Sequence, residues 1–198
     1  MPNWCENRLI IKHDNPEELQ RFVDAWNTGE LLQTLIPCPA ELRDTMAGYM
    51  GDSEDVSRQY AKELHLLKEQ LNIRMFGYKN WYDWCVNEWG TKWDIGRSSE
   101  RENNAVIEGK GKKQLVEVSF DSAWSPPVEA YHKLTRMGYK IKAYYYEPGM
   151  AFCGSFIDGG EHTYKIEGNS SWVAKNIPAD ILDAFNMIEL MESYEEEV

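Results

Sequence analysis

The densest run of chemically capable side chains is Trp89-Gly90-Thr91-Lys92-Trp93-Asp94. In an extended chain successive side chains alternate sides, so Lys92 and Asp94 share one face while Thr91 and Trp93 share the other. A Lys–Asp pair on one face suits proton transfer or the gripping of a polar ligand. The same spacing suits a structural role equally well, with Trp89 and Trp93 in the core and Lys92 lying across a ring as a cation–π contact. Asp121 and Glu147 fall at the ends of two other extended segments. With Lys92 and Asp94 they are the groups that an enzyme of unidentified chemistry would use if folding made them converge, and no catalytic role is assigned to any of them. Asp121-Ser122-Ala123-Trp124-Ser125-Pro126-Pro127 joins a strand to a helix. Its hydroxyls and the helix N-terminal amides could hold an anion, or Ser125 is simply an N-cap. Trp4-Cys5-Glu6-Asn7 is echoed by Trp84-Cys85-Val86-Asn87. The echo is either a paired site of rings, thiols and carboxamides or a chance repeat between a strand edge and a helix.

Other chemistries lack their signatures. There is no Gly-rich phosphate loop, no G-x-S-x-G elbow and no H-E-x-x-H helix. His13, His65, His132 and His162 sit on separate elements. Cys5, Cys38, Cys85 and Cys153 include no C-x-x-C pair and have no nearby His, so no metal and no cofactor is expected, and the thiols are expected to be unpaired. The opening segment is polar and no apolar run approaches the ~20 residues of a membrane span, so the expected location is cytoplasmic, without membrane contact. The net charge is −12, and seven of those negative charges come from the acids between Asp180 and the end, where there is no Lys or Arg. The only basic cluster is Lys110, Lys112 and Lys113 in a Gly-rich turn, which reads as a solvated loop. Duplex DNA, which wants a basic stripe, is not an expected partner.

The elements that must position these groups follow from periodicity. Asn7 to Lys12 reads as a strand. Asp14-Asn15-Pro16-Glu17-Glu18 starts a helix carrying Leu19, Phe22, Val23 and Trp26, and Gly29 ends it. Residues 37–79 read as a helical insertion: a Pro-locked segment, a loop over 43–56, then a helix over 57–71 with Tyr60, Leu64, Leu67 and Leu71 on one stripe. Asn80 caps a short aromatic helix to Trp89. Strands are expected over 91–95 and 115–124, then a helix from Ser125 to about Met137. A three-strand meander follows over 139–147, 150–157 and 161–167, its first turn a type II Pro148-Gly149 pair. Pro178 to Tyr194 reads as one acidic amphipathic helix within a C-terminal segment, 178–198. With the insertion set aside the order is strand, helix, strand, strand, helix, strand. That is a ferredoxin-like split βαβ sheet of the α+β class, extended by C-terminal strands and a helix, in a single domain over 1–198.

Several segments together resemble a known family. They are Pro2-Asn3-Trp4-Cys5-x-Asn7, Asn80-Trp81-Tyr82-Asp83-Trp84-Cys85-x-x-x-Trp89-Gly90-Thr91-Lys92-Trp93-Asp94, Phe120-x-Ser122-Ala123-Trp124-Ser125-Pro126-Pro127, and Tyr146-Glu147-Pro148-Gly149-x-x-Phe152-x-Gly154. This set resembles the YubB-type ferredoxin-like domain family, small proteins encoded largely by bacteriophages, plasmids and bacteria carrying such elements. The resemblance implies a ferredoxin-like domain and brings no catalytic residues with it. The leading expectation is a non-catalytic accessory factor of a mobile element that engages a protein partner. Its candidate binding residues are Trp4, Asn7, Trp84, Trp89, Lys92, Trp93, Asp94, Asp121, Trp124 and Glu147, with the tryptophans, Asn7 and Lys92 expected to form one cluster. The alternatives are a single-stranded nucleic-acid module, with Tyr144 and Tyr146 as stacking platforms on one strand face, and the enzyme of unidentified chemistry.

Overall fold

Alternation along the first strand sets the architecture. In Trp4–Lys12 (β1) Cys5, Asn7, Leu9 and Ile11 point to one buried face, while Trp4, Glu6 and Arg8 point to the other. The computed structural model describes residues 3–48, 55–97 and 103–196. After β1 come the helices Pro16–Thr28 (α1), Leu31–Leu35 (α2), Ala40–Arg43 (α3), Val56–Phe76 (α4) and Trp81–Glu88 (α5). Then follow Val116–Ala123 (β2), Val128–Arg136 (α6), Lys140–Glu147 (β3), Phe152–Ile157 (β4) and Gly160–Lys165 (β5). The described chain ends with Ser170–Asn176 (α7), Ala179–Phe185 (α8) and Met187–Glu196 (α9).

The strands form one antiparallel sheet in the order β2-β1-β3-β4-β5. Because β2 and β3 both run antiparallel to β1 and are joined by α6, they form a split βαβ unit with β1 threaded between them. The fold is therefore α+β with a ferredoxin-like sheet and a C-terminal meander. On one face Leu9, Val118, Ala143 and Phe156 pack with Phe22 and Trp26 of α1 and Tyr131 of α6. On the other, Tyr144, Tyr146 and Cys153 pack beneath Val173, Ile181, Leu182 and Met187 of the C-terminal helices. The Tyr144 and Tyr146 rings expected as stacking platforms are thus covered, and the Tyr144 hydroxyl donates to Asp180 at 2.8 Å. No helix among the described residues is long and apolar enough to cross a membrane.

The sheet differs from expectation at one edge. Residues 91–95 form no strand, because the α1–α2 corner captures them. The Asp94 carboxylate accepts from the amides of Leu32 and Gln33 at 2.6 and 2.8 Å. The Leu31 amide donates to the Ile95 carbonyl and the Arg97 amide to the Trp26 carbonyl. Gly96 (φ 153°) lies so close to this corner that a Cβ there would stand 2.9 Å from the Gly29 Cα. Backbone groups bonded to a helix corner are not available to a sheet ladder.

Other local expectations also shift. Ser125 does not cap α6; its hydroxyl donates to the Gly90 carbonyl at 2.6 Å, and Pro127 takes the cap position without a side-chain bond. The left-handed residue after β3 is Ala151 (φ 54°) rather than Gly149, and the Glu147 carboxylate accepts from the Gly149 amide at 3.0 Å, so no type II Pro-Gly turn forms. The single C-terminal helix is α8 and α9, broken at left-handed Asn186, with α7 before them. Of the expected 43–56 loop, 49–54 lie outside the described residues, while Arg43 and Val56 at its two ends belong to α3 and α4.

Candidate functional site

Asn80 opens α5 by accepting the Asp83 amide on its side chain, as its position in the sequence predicts. One turn later Trp84 and Cys85 point inward. Trp89 follows, its ring edge-on to Trp84 with centroids 5.4 Å apart and its Nε1 donating to the Ile36 carbonyl at 2.9 Å. These two tryptophans are core. Glu88, on the outer flank, accepts from Lys133 and from the Tyr78 hydroxyl. Burial opposes its charge, but those two partners together hold its carboxyl below the usual range.

Beyond Gly90 the chain comes to the surface. Lys92 Nζ lies 4.6 Å from the Trp93 ring centroid, 5.2 Å from that of Trp124 and 5.8 Å from that of Tyr82. Trp4, at the start of β1, stands 5.8 Å from Trp93. Tyr82 meets Trp124 edge-on at 6.2 Å. The result is a continuous aromatic surface around one ammonium, with Trp4, Trp93 and Trp124 at 46, 40 and 38 % exposure. Lys92 is thus a ring-bound cation, and Asp94 spends its oxygens on amides; they are not an ion pair.

Trp124 is held in place by its neighbours. Its φ is 68°, in the left-handed region that bulky residues avoid. Its amide donates to the Asn3 carbonyl at 2.9 Å, and the Ser122 hydroxyl donates to the Ser125 carbonyl at 2.7 Å, closing the turn beneath it.

Two clefts flank the patch, with Trp93 lining both. One of about 520 Å³ is bounded by Trp4, Trp93, Asp94, Arg97, Asp121 and Ala123. The other, about 450 Å³, lies between Trp81, Trp89, Lys92, Arg43, Cys38 and Cys85. Burial pushes Asp94, on the wall between them, up to about 6, although three backbone amides pull the other way. Cys38 and Cys85 line this cleft together, near enough for each thiol to influence the other, a proximity that a separation of 47 residues hides from the sequence. Burial raises their thiols to about 11 and 12. Among the described residues no group of three His, Cys, Asp or Glu side chains is placed to hold a metal ion.

The candidate residues therefore divide. Trp4, Lys92, Trp93 and Trp124 meet at the surface, and Asp94 and Asp121 line the first cleft beside them. Trp84 and Trp89 lie beneath in the core. Asn7 is a buried strap, donating to Ser122 Oγ and the Cys5 carbonyl, both at 2.8 Å, and it does not join the rings. Glu147 is fully buried against its own turn and lines neither cleft. The four polar groups considered for catalysis do not converge. Nor does the repeated Trp-Cys-x-Asn make a paired site, since Cys5 is paired across the sheet with Ser122 while Cys85 lines a cleft with Cys38. Tyr82, Trp81 and Arg97 belong to the site and were not singled out from the sequence; the first two lie inside the aromatic helix motif, which was the available signal.

The fold and this surface define an α+β protein whose ferredoxin-like sheet carries an exposed tryptophan patch at one corner. Residues 88–172 match a family described as "Ferredoxin-like domain in Api92-like protein". That range holds β2 through β5 together with Lys92, Trp93 and Trp124. Among solved structures, the crystal structure of a protein api92 from Yersinia pseudotuberculosis is similar over 85% of this chain and 99% of that chain, at 12% identity and a TM-score of 0.42. No curated protein matches.

Proposed function

We propose that this chain is a non-catalytic recognition module that engages a protein partner through the surface of Trp4, Tyr82, Lys92, Trp93 and Trp124. The observation that carries the reading is Trp124 itself. A bulky residue in the left-handed region costs about 1–2 kcal/mol, and here it presents a ring that is 38 % exposed. Contacts with Tyr82 and Lys92 offset part of that cost, and the face of the ring left open to solvent is free to meet a partner. Trp, Tyr and cationic side chains are also the groups that dominate protein interfaces when a partner desolvates them. The occupied state of the polar groups points the same way: Asp94 and Glu147 are spent on backbone amides and Lys92 lies on rings. The resemblance to the YubB-type family extends the proposal to an accessory factor of a phage or plasmid. Four buried thiols suit the reducing cytoplasm.

A second reading has its own observation. Exposed Trp faces beside Lys92 are what bases of a single strand stack upon, and this platform is separate from the covered Tyr144 and Tyr146. The acidic charge of the chain opposes it, as it opposes duplex DNA. The test presents immobilised wild-type chain and Trp124→Gly to a bacterial lysate, and titrates both with homopolymeric single-stranded DNA. The expected result is a protein retained by wild type and not by the variant, with no saturable DNA signal at physiological salt. Equal retention by both forms, or submicromolar DNA binding, overturns the proposal.

A further inference from the structure

The helix α4 is built inside out. Tyr60, Leu64, Leu67 and Leu71 lie along one side of it, and all are between 50 and 63 % exposed. The opposite side, turned toward the protein, is polar apart from Phe76. Asn72 is buried there, donating to Thr45 Oγ1 at 2.9 Å and to the Lys79 carbonyl at 2.8 Å. His65 stands 3.5 Å from Glu69 on the same side. A surface helix ordinarily turns its apolar stripe to the core and its charges to water; α4 does the reverse between Tyr60 and Leu71. Scattered exposed leucines are unremarkable, but a continuous stripe of them is the mark of an interaction surface.

The spacing together with its flanking charges favours a second copy of the helix. Steps of four, three and four residues from Tyr60 to Leu71 are the a/d repeat of a coiled-coil seam. Glu63 flanks that seam at a g position and Lys68 at the next e position. In a parallel pair of identical helices, g of one copy faces the following e of the other, so Glu63 stands opposite Lys68 on both sides of the seam. An antiparallel pair instead sets g against g and e against e, placing like charges together. Lys68 Nζ donates to the Asp44 carbonyl at 2.7 Å, and an ammonium keeps two further donors for a partner. We propose that α4 is a dimerisation arm that covers its apolar stripe with the same helix of a second copy of this chain, in parallel.

Sedimentation equilibrium of the full chain over a concentration series tests this. The weight-average mass should rise from that of one chain toward twice that value. Leu64→Glu and Leu67→Glu should each weaken the dimer at least about tenfold. Their melting transition, measured where both forms are monomeric, should be unchanged, since both side chains are solvent-exposed in one copy. Leu71→Cys should give a 71–71 disulfide with oxidised glutathione, which takes up the two electrons released by the two thiols; this cross-link reports the parallel arrangement. Trp124→Gly should dimerise like wild type, which separates this inference from the recognition patch. A monomer at every concentration, a dimer indifferent to Leu64→Glu, or a dimer without the 71–71 cross-link each overturns the proposal.

Discussion

Replacing Trp89 by Ala separates the tryptophans that build the protein from those that it displays. Trp89 is 4 % exposed, meets Trp84 edge-on and donates through Nε1 to the Ile36 carbonyl. Emptying a core site of this size costs about 3–5 kcal/mol, and stranding the Ile36 carbonyl adds about 1 kcal/mol. The expected loss is thus roughly 4–6 kcal/mol, against a total stability of roughly 5–15 kcal/mol for a natural domain. For a chain of this length each kcal/mol moves the midpoint by about 2–4 °C, so the shift is large in any thermal melt. Trp124→Gly is the counterpart. It relieves a left-handed backbone, worth about 1–2 kcal/mol. Against that it loses a cation–π contact of about 0.5–1 kcal/mol and an edge contact of about 0.5–1.5 kcal/mol, and it adds unfolded-state entropy of about 0.4–1 kcal/mol. The balance runs from a gain of about 0.5 kcal/mol to a loss of about 2.5 kcal/mol, short of the loss expected for Trp89→Ala. Urea denaturation followed by far-ultraviolet circular dichroism reads both. Equal losses in the two variants, or a Trp89→Ala loss below about 1 kcal/mol, would refute the division into core and display.

Further expectations concern single groups. Asp94 titrates near 6 in the folded protein against an ordinary 3.8. The folded state therefore holds this proton more tightly, and its contribution to stability falls as pH rises from about 4 to 6. Relative to wild type, Asp94→Asn should gain on the order of 2–3 kcal/mol across that window, beyond any constant offset from altered amide bonding; parallel pH profiles for the two would contradict this. All four thiols are buried and their ionisation is raised, Cys5 to about 12 and Cys153 to about 11. Native protein should thus react slowly with a thiol reagent, while protein unfolded without reductant should label at all four positions; fewer would reveal a bridge. Gly96→Ala should cost roughly 1–3 kcal/mol, since φ is 153° and the new Cβ would meet Gly29; a melt equal to wild type would show that the corner yields.

The periodic elements were legible in the sequence. Alternation gave β1, β2 and the meander, and the Asn15–Pro16 and Asn80 caps gave α1 and α5. What escaped was decided at long range. Nothing near Thr91 says that Asp94 will cap a helix sixty residues earlier, so an extended segment read as a strand became an irregular one. Trp4, Trp93 and Trp124 were legible as motif members, but their aromatic character suits a core as well as a surface. Only burial divides them from Trp84 and Trp89. Asn7 has the polarity of a site residue and the position of a strap, because the alternation that buries Leu9 and Ile11 buries it too. On α4 the apolar stripe was visible, while its orientation away from the protein was not.

Recognition of a protein by the exposed tryptophan patch is open to direct measurement. Isothermal titration of the captured partner into wild type, Trp124→Gly and Leu64→Glu tests it most directly. The expected result is a loss of at least about thirtyfold, or roughly 2 kcal/mol of hot-spot energy, for Trp124→Gly, with Leu64→Glu binding each protomer as wild type does. Unchanged affinity for Trp124→Gly, in a variant shown to be folded, would exclude the patch as the recognition surface.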